Sequence, residues 1–405
     1  MRATIKSSKA KGKVSAPPSK SLAHRYIISA ALSEGTSVIT NVQFSEDIKA
    51  TISCIKTLGA DASVDGSTVT VKGNAGNWPE GVLEFNCNES GSTMRFFMGI
   101  AMITGRKSYF YGSETLRNRP FGVYEDICKE QGVAFTKEEN RILIDGTIKS
   151  GVYKVPGNIS SQFISGLLFA LPFLKEDSTI ELIPPVESIN YIDLTIQALR
   201  AYGVDVKWGE NYKLEIKGSQ AYVSADTRVE GDYSNAAFLD AFNTIGGMVE
   251  TEGLNEASLQ GDKVYIDYFK ELAKGFATLD ISDCPDLGPI LMSVAAANHG
   301  GLFTGTRRLK IKESNRGLVM CEELKKFGVG TRMEENEIEI NGNELKAPKD
   351  TLDGHNDHRI VMSMSFLSSI TGGQISGVQA VRKSYPEFFD VIKELGIEVD
   401  LDEMD

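Results

Sequence analysis

Four short stretches concentrate side chains that can hold anions: PPSKSLAHR (Pro17 to Arg25), LRNRP (Arg117, Arg119), KIKESNR (Lys310, Lys312, Arg316) and VRKSYP (Arg382, Lys383). A Lys ammonium is a point charge and an Arg guanidinium a planar fork matching phosphate or carboxylate, so such a set suits a small polyanion. Among them stand groups that exchange protons: Glu313 between Lys312 and Arg316, Asp286 in CPD, and His358 in NDHR. Alone, a Glu beside cations is an ion-pair partner and an Asp after Pro is a helix cap. Sharing one cationic cleft with Lys20 and His358 would make Asp286 and Glu313 acid–base candidates. The pair His355 and His358 has no third or fourth ligand nearby, so no metal is expected. No GxxxxGK[ST] or GxGxxG stands at a strand–helix junction, so no nucleotide cofactor is expected.

The elements that must position these groups are helices and their starts. Two prolines precede Ser19, and Ser21 reads as the N-cap for the apolar spacing Leu22, Tyr26, Ile27, Ala30. A helix start carries unpaired N–H groups and a positive dipole end, which attract an anion. Further starts read NESGST, with Gly91 and nearby Arg95; ISSQ, with Ser160, Ser161 and Gln162; GDYS; CPD; and NDHR, with Arg359. Each opens a helix that is apolar nearly all round, as buried helices are. A second pattern recurs: a helix ends in Gly and a strand comes directly after, at Gly59, Gly132, Gly203, Gly275, Gly328 and Gly396. In four of the six units an alternating strand comes next, at STVTVKG, RILIDG, YKLEIKG and EIEING. The expectation is an α/β fold of six β-α-β-α-β-β units, three per domain, with helices buried and sheets outside. Tyr222 to Asn235 is the expected crossover between halves.

At 405 residues the chain is long enough for two or three domains without metal or disulfide support. The net charge of −12 argues against a general nucleic-acid binder but not against a small anion in a cationic cleft. Five cysteines without a CxxC pair fit reduced thiols and a cytoplasmic setting. No apolar run suits a signal peptide or membrane span. The acidic end DLDEMD reads as a solvated terminus.

The strings SKSLAHR, ESGSTMR, LRNRP, SSQF, SINYID (Ser188 to Asp193), CPD, KESNR, NDHR and RKSYP, in this order along the whole chain, resemble the 5-enolpyruvylshikimate-3-phosphate synthase family of enolpyruvyl transferases. The resemblance implies a two-domain inverse α/β barrel that closes on substrate by induced fit. It places 14–229 in an N-terminal domain on the shikimate 3-phosphate side, and 1–13 with 230–405 in a C-terminal domain on the phosphoenolpyruvate side. Hinges would lie near 13–16 and 226–231. The implied reaction moves the enolpyruvyl group of phosphoenolpyruvate to the 5-hydroxyl of shikimate 3-phosphate and releases phosphate, with neither metal nor cofactor, on the route to chorismate and aromatic amino acids.

Carried over motif by motif, Lys20, Ser21, Arg25, Ser160, Ser161, Gln162, Ser188, Asp286 and Lys312 would hold shikimate 3-phosphate. Lys20, Gly91, Arg119, Gln162, Arg316, Arg359 and Lys383 would hold phosphoenolpyruvate. Asp286 is the candidate base for the hydroxyl and Glu313 the candidate for the methylene proton, with Lys20 and His358 assisting. Partners would be these two small molecules alone, the protein acting as a monomer. His24, Ser92, Phe96 and Arg308 depart from a well-known branch of the family. Gly91, having no side chain, leaves room beside the phosphoenolpyruvate site, so inhibition by glyphosate is expected. Two rival readings are the related transferase acting on UDP-N-acetylglucosamine and a non-catalytic six-repeat DNA clamp. The first carries a reactive Cys near the LRNRP position, whereas Cys128 lies beyond it. The second would spread basic residues over helices rather than gather them at helix starts.

Overall fold

A computed structural model describes residues 1–342 and 344–402 and divides the chain into two compact units, Pro18–Glu230 and Met1–Pro17 with Gly231–Asp405. The first crossing, 17/18, falls four residues beyond the expected 13/14, and the second, 230/231, one residue beyond the expected 229/230. Strand Lys11–Ser15 pairs in parallel with Met248–Glu252, the Ala16 N–H donates to the Glu252 carbonyl (2.8 Å) and the Asp232 N–H to that of Pro17 (2.8 Å). Residues 14–17 are thereby bound into the C-terminal unit.

The unit Pro18–Glu230 holds three four-stranded sheets of one topology. Leu83–Asn86 runs parallel to Ser108–Tyr111, which pairs antiparallel with Ile142–Asp145, which in turn pairs antiparallel with Ala134–Lys137. Val152–Pro156, Ser178–Ile183, Lys213–Ile216 and Val206–Trp208 repeat that order, as do Thr227–Arg228, Thr36–Thr40, Thr68–Lys72 and Asp61–Asp65. Strand residues alternate: Leu83 and Phe85 are buried while Glu84 and Asn86 are exposed. A parallel pair needs a crossover. Helix Gly91–Thr104 supplies one and helix Ser161–Ala170 another, each buried on nearly every side. These two helices touch backbone to backbone at Gly99, where a methyl group would lie 2.4 Å from the Gly166 carbonyl.

In the other unit, Ala277–Asp280, Gly300–Thr304, Glu337–Asn341 and Thr331–Met333 form a sheet of the same order. In the next, Leu352–Asp353, Gly373–Ser376, Arg2–Ile5 and Val399–Asp402 do so with the N-terminal strand inserted. Strand Val399–Asp402 thus corrects the reading of DLDEMD as a solvated tail; residues 403–405 lie outside the described residues. One expected unit departs from the pattern. Gly59, Gly132, Gly203, Gly328 and Gly396 are left-handed, with φ between +70° and +94°, but Gly275 is extended at φ 171°. The strand after it pairs with the next sheet, and Met248–Glu252 is left with Lys11–Ser15 in a two-stranded sheet.

Candidate active site

In the unit Pro18–Glu230, three buried helices bring their starts to one network. Helix Lys20–Leu32 is capped by Ser19, whose Oγ accepts from the Leu22 N–H (3.4 Å), and not by Ser21, because Ser19 already has the extended backbone a cap requires. Lys20 is therefore the first helical residue. Its Nζ meets Asp47 Oδ2 at 2.8 Å, in the first turn of helix Glu46–Thr57. His24 Nδ1 bonds Thr51 Oγ1 (2.7 Å), Thr51 bonds Thr93 (2.7 Å), and Thr93 donates to Ser90 Oγ (2.7 Å), the cap of the Gly91 helix. Burial first, then the charges of Lys20 and Arg25, hold His24 well below its ordinary pKa, so this chain of bonds is neutral.

Gln162 joins the Ser161 helix to the Gly91 helix. It accepts from Arg95 Nη1 (2.6 Å) and donates to Ser92 Oγ (2.8 Å). Gly91 faces two cations: a methyl there would lie 2.6 Å from Arg119 Nη1 and 3.3 Å from Arg95 Nη1. Gly91, Arg95, Arg119 and Gln162 therefore meet at one place. Ser160 caps its helix by accepting from the Gln162 N–H (3.3 Å), and Ser161 is the first helical residue. Ser188 stands at the cap position of helix Ile189–Ala201 with left-handed backbone (φ 57°). Arg25 is buried, 2% exposed. It donates to Thr195 Oγ1 (2.8 Å) and to the carbonyls of Ser21 (2.7 Å) and Tyr191 (3.1 Å), and burial brings it down to about 10. Phe96, which departs from the well-known branch of the family, lies beneath its guanidinium at 5.3 Å.

The unit containing Gly231–Asp405 gathers a second cluster around Arg316, the first residue of helix Arg316–Lys326 and only 1% exposed. Its Nε donates to Asp357 Oδ2 (2.8 Å), Nη1 to Asp286 Oδ1 (2.8 Å), and Nη2 to Glu313 Oε2 (2.5 Å) and Asp357 Oδ1 (3.2 Å). Lys312 Nζ also meets Asp286 Oδ1 (2.9 Å), and Arg359 meets both its carboxylate (3.6 Å) and its carbonyl (3.1 Å). Burial alone would raise Asp286, but Lys312, Arg359 and Arg316 together outweigh it and hold the carboxyl well below its usual range. Burial lowers Lys312 despite the same carboxylate. Arg316 goes the other way, because three acids overcome its desolvation. His358 is buried, its Nδ1 3.9 Å from Asp357 Oδ1, and Lys383 Nζ donates to the Asn356 carbonyl (2.6 Å).

Not every candidate joins a cluster. Lys310 and Arg382 are exposed, and Arg117 turns to the carbonyls of Gly112 (3.1 Å) and Glu139. The GDYS start is closed by protein groups: Asp232 accepts from the Asn235 N–H (3.0 Å) and Gln260 Oε1 from the Tyr233 N–H (3.1 Å). Three carboxylates were missed. Asp47 holds Lys20 and Asp357 holds Arg316; an acid in a first turn or at a cap is common in any helix, and only these ion pairs reveal more. Asp262, 3% exposed, lies within electrostatic reach of Asp286 and Arg359. Burial and then the charge of Asp286 push it up to about 6.

A profile of the EPSP synthase family (3-phosphoshikimate 1-carboxyvinyltransferase) matches residues 5–275 and 268–392. A 3-phosphoshikimate 1-carboxyvinyltransferase of Clostridium kluyveri is 37% identical over 98% of both chains. One from Clostridium acetobutylicum is 40% identical over 96% of both. An EPSP synthase structure from Acinetobacter baumannii superposes with a TM-score of 0.79 at 25% identity, covering 99% of this chain and 100% of that one. Cationic helix starts around Gly91 and Arg316, set in sheets of repeated topology and matched end to end by these relatives, lead to one conclusion: the chain belongs to the EPSP synthase family.

Proposed function

We propose that the residues of these two clusters serve the family's reaction, transfer of the enolpyruvyl group of phosphoenolpyruvate to the 5-hydroxyl of shikimate 3-phosphate with release of phosphate. In this reading the fold is an inverse α/β barrel of six repeats, three per domain. Lys20, Ser21, Arg25, Ser160, Ser161, Gln162, Ser188, Asp286 and Lys312 hold shikimate 3-phosphate, and Lys20, Gly91, Arg119, Gln162, Arg316, Arg359 and Lys383 hold phosphoenolpyruvate. The protein works as a cytoplasmic monomer; among the described residues no helix is long and apolar enough to cross a membrane.

The reading rests above all on Asp286, a carboxylate met by Lys312, Arg316 and Arg359 at once. Without substrate those cations make it a poor base. When two polyanions draw on the same cations, the field at Asp286 weakens and its basicity rises, so proton removal from the 5-hydroxyl is timed to the arrival of both substrates. Glu313, held by Arg316 Nη2, gives a proton to the methylene carbon as the hydroxyl oxygen adds to its neighbour, then takes one back from the resulting methyl group as the bond to phosphate breaks, which regenerates the enol ether; Lys20 and His358 assist.

Phosphate release with both substrates tests the reaction: product is expected with shikimate 3-phosphate and none with UDP-N-acetylglucosamine, and the reverse would overturn it. Glu313→Gln is expected to bind both substrates yet turn over at least about a hundredfold more slowly. Near-normal turnover removes Glu313 from this role.

A further inference from the structure

The turn before Asp357 carries an ion cluster that no step of the proposed reaction uses. Glu323, on helix Arg316–Lys326, is a carboxylate only 2% exposed. It accepts from Lys326 Nζ (2.9 Å to each oxygen), from the Asp353 N–H (3.1 Å), and pairs with His355 Nε2 (3.0 Å). Lys326 also donates to the Thr351 carbonyl (3.3 Å). Glu323 and Lys326 thus grip the segment 351–355 at three points.

That segment needs holding. His355 and Asn356 are both left-handed, at φ 47° and 50°, a conformation that residues with a Cβ rarely adopt in succession. The turn is closed locally by the His355 N–H on Asp353 Oδ1 (2.8 Å) and the Asp357 N–H on the Gly354 carbonyl (2.8 Å). It leads directly into the C-terminal cluster: the Asn356 carbonyl that takes Lys383, the Asp357 carboxylate that takes Arg316, then His358 and Arg359. Arg316 and Glu323 are seven residues apart, hence on one face of their helix. One helix therefore clamps the turn at two places, through Asp357 and through His355.

We propose that His355 and Glu323 are positioning residues, a protonation-sensitive brace that holds the 353–356 turn so that Arg359 and Lys383 are presented to phosphoenolpyruvate. The inference rests on the assignment of Arg359 and Lys383 to that substrate. The charged groups acting on His355 are Glu323 and Glu322 on the helix and Asp353 in its own turn, while Lys326 bonds Glu323 itself. The bond to Glu323, aided by Asp353 and Glu322 and opposed by partial burial, raises the imidazole above its ordinary 6.5. The charged brace is therefore complete below that value and weakens as pH rises through the shifted one.

The experiment is steady-state kinetics between about pH 6 and 9 for the parent, His355→Ala, His355→Gln, Glu323→Gln and Lys383→Met, each checked for folding by circular dichroism. His355→Ala and Glu323→Gln are expected to raise KM for phosphoenolpyruvate about tenfold, with a smaller effect on kcat and little on KM for shikimate 3-phosphate. His355→Gln, which keeps a donor but cannot titrate, is expected to restore most of the loss and to abolish the rise of KM with pH that is expected of the parent. An unchanged KM in His355→Ala, or a pH profile identical in His355→Gln and the parent, overturns the proposal. A Lys383→Met variant with parental KM instead removes the substrate assignment, and the brace's role with it.

Discussion

Arg316 has no freedom to leave its place: each of its three nitrogens meets a carboxylate, and almost none of it is exposed. Removing one member of a buried ion cluster leaves the others uncompensated. Arg316→Met is expected to destabilise the C-terminal unit by about 3–5 kcal/mol as well as to abolish turnover, read by thermal unfolding and phosphate release. Asp262 gives the opposite expectation. Its folded value is raised to about 6 from 3.8, so the native state keeps the proton longer than the unfolded chain, and its contribution to stability falls as pH climbs through that window. Asp262→Asn should match the parent below that range and exceed it above about pH 7, by on the order of 2 kcal/mol, in denaturant titrations at several pH values. Gly91→Ala places a methyl against Arg119 Nη1. Because the end of an Arg side chain yields easily, the fold should persist while the affinities for phosphoenolpyruvate and glyphosate fall together, measured by KM and by inhibition.

At the scale of elements, the helices that carry the site are fixed by the packing behind them. Gly99 lets the Gly91 and Ser161 helices touch, and Gly99→Ala would force them apart against the Gly166 backbone. A loss of about 1–3 kcal/mol is expected in a melting experiment, with weaker binding because Arg95 and Gln162 bridge the same two helices. All six apolar runs were legible in sequence, since a helix apolar on every side has nowhere to go but the interior. Cap identity was less so. Ser19 and Ser21 are chemically equal candidates, and backbone geometry chose Ser19. Gly275 read as a left-handed stop like the other five, yet the strand after it was recruited by the next sheet. The GDYS start looked like an anion site until its N–H groups proved to be taken by Asp232 and Gln260.

For the molecule as a whole, a net charge of −12 coexists with cations concentrated at a few helix starts. Arg119→Met and Arg359→Met should each raise KM for phosphoenolpyruvate about tenfold, and a parental KM in either variant would remove that residue from the proposed assignment. The sequence by itself settled the kind of elements, the repeated β-α-β-α-β-β order through most of the chain, the cations available and, through ordered motifs, the family. These are local matters: side-chain period, capping chemistry and glycine at helix ends act over a few residues. Tertiary structure alone decided which carboxylate each cation keeps. It put Asp357 and Asp286 on Arg316, Asp47 on Lys20 and Glu323 on His355. Ion pairing inside a protein is set by distance and burial, and groups tens or hundreds of residues apart acquire both only when the chain is folded.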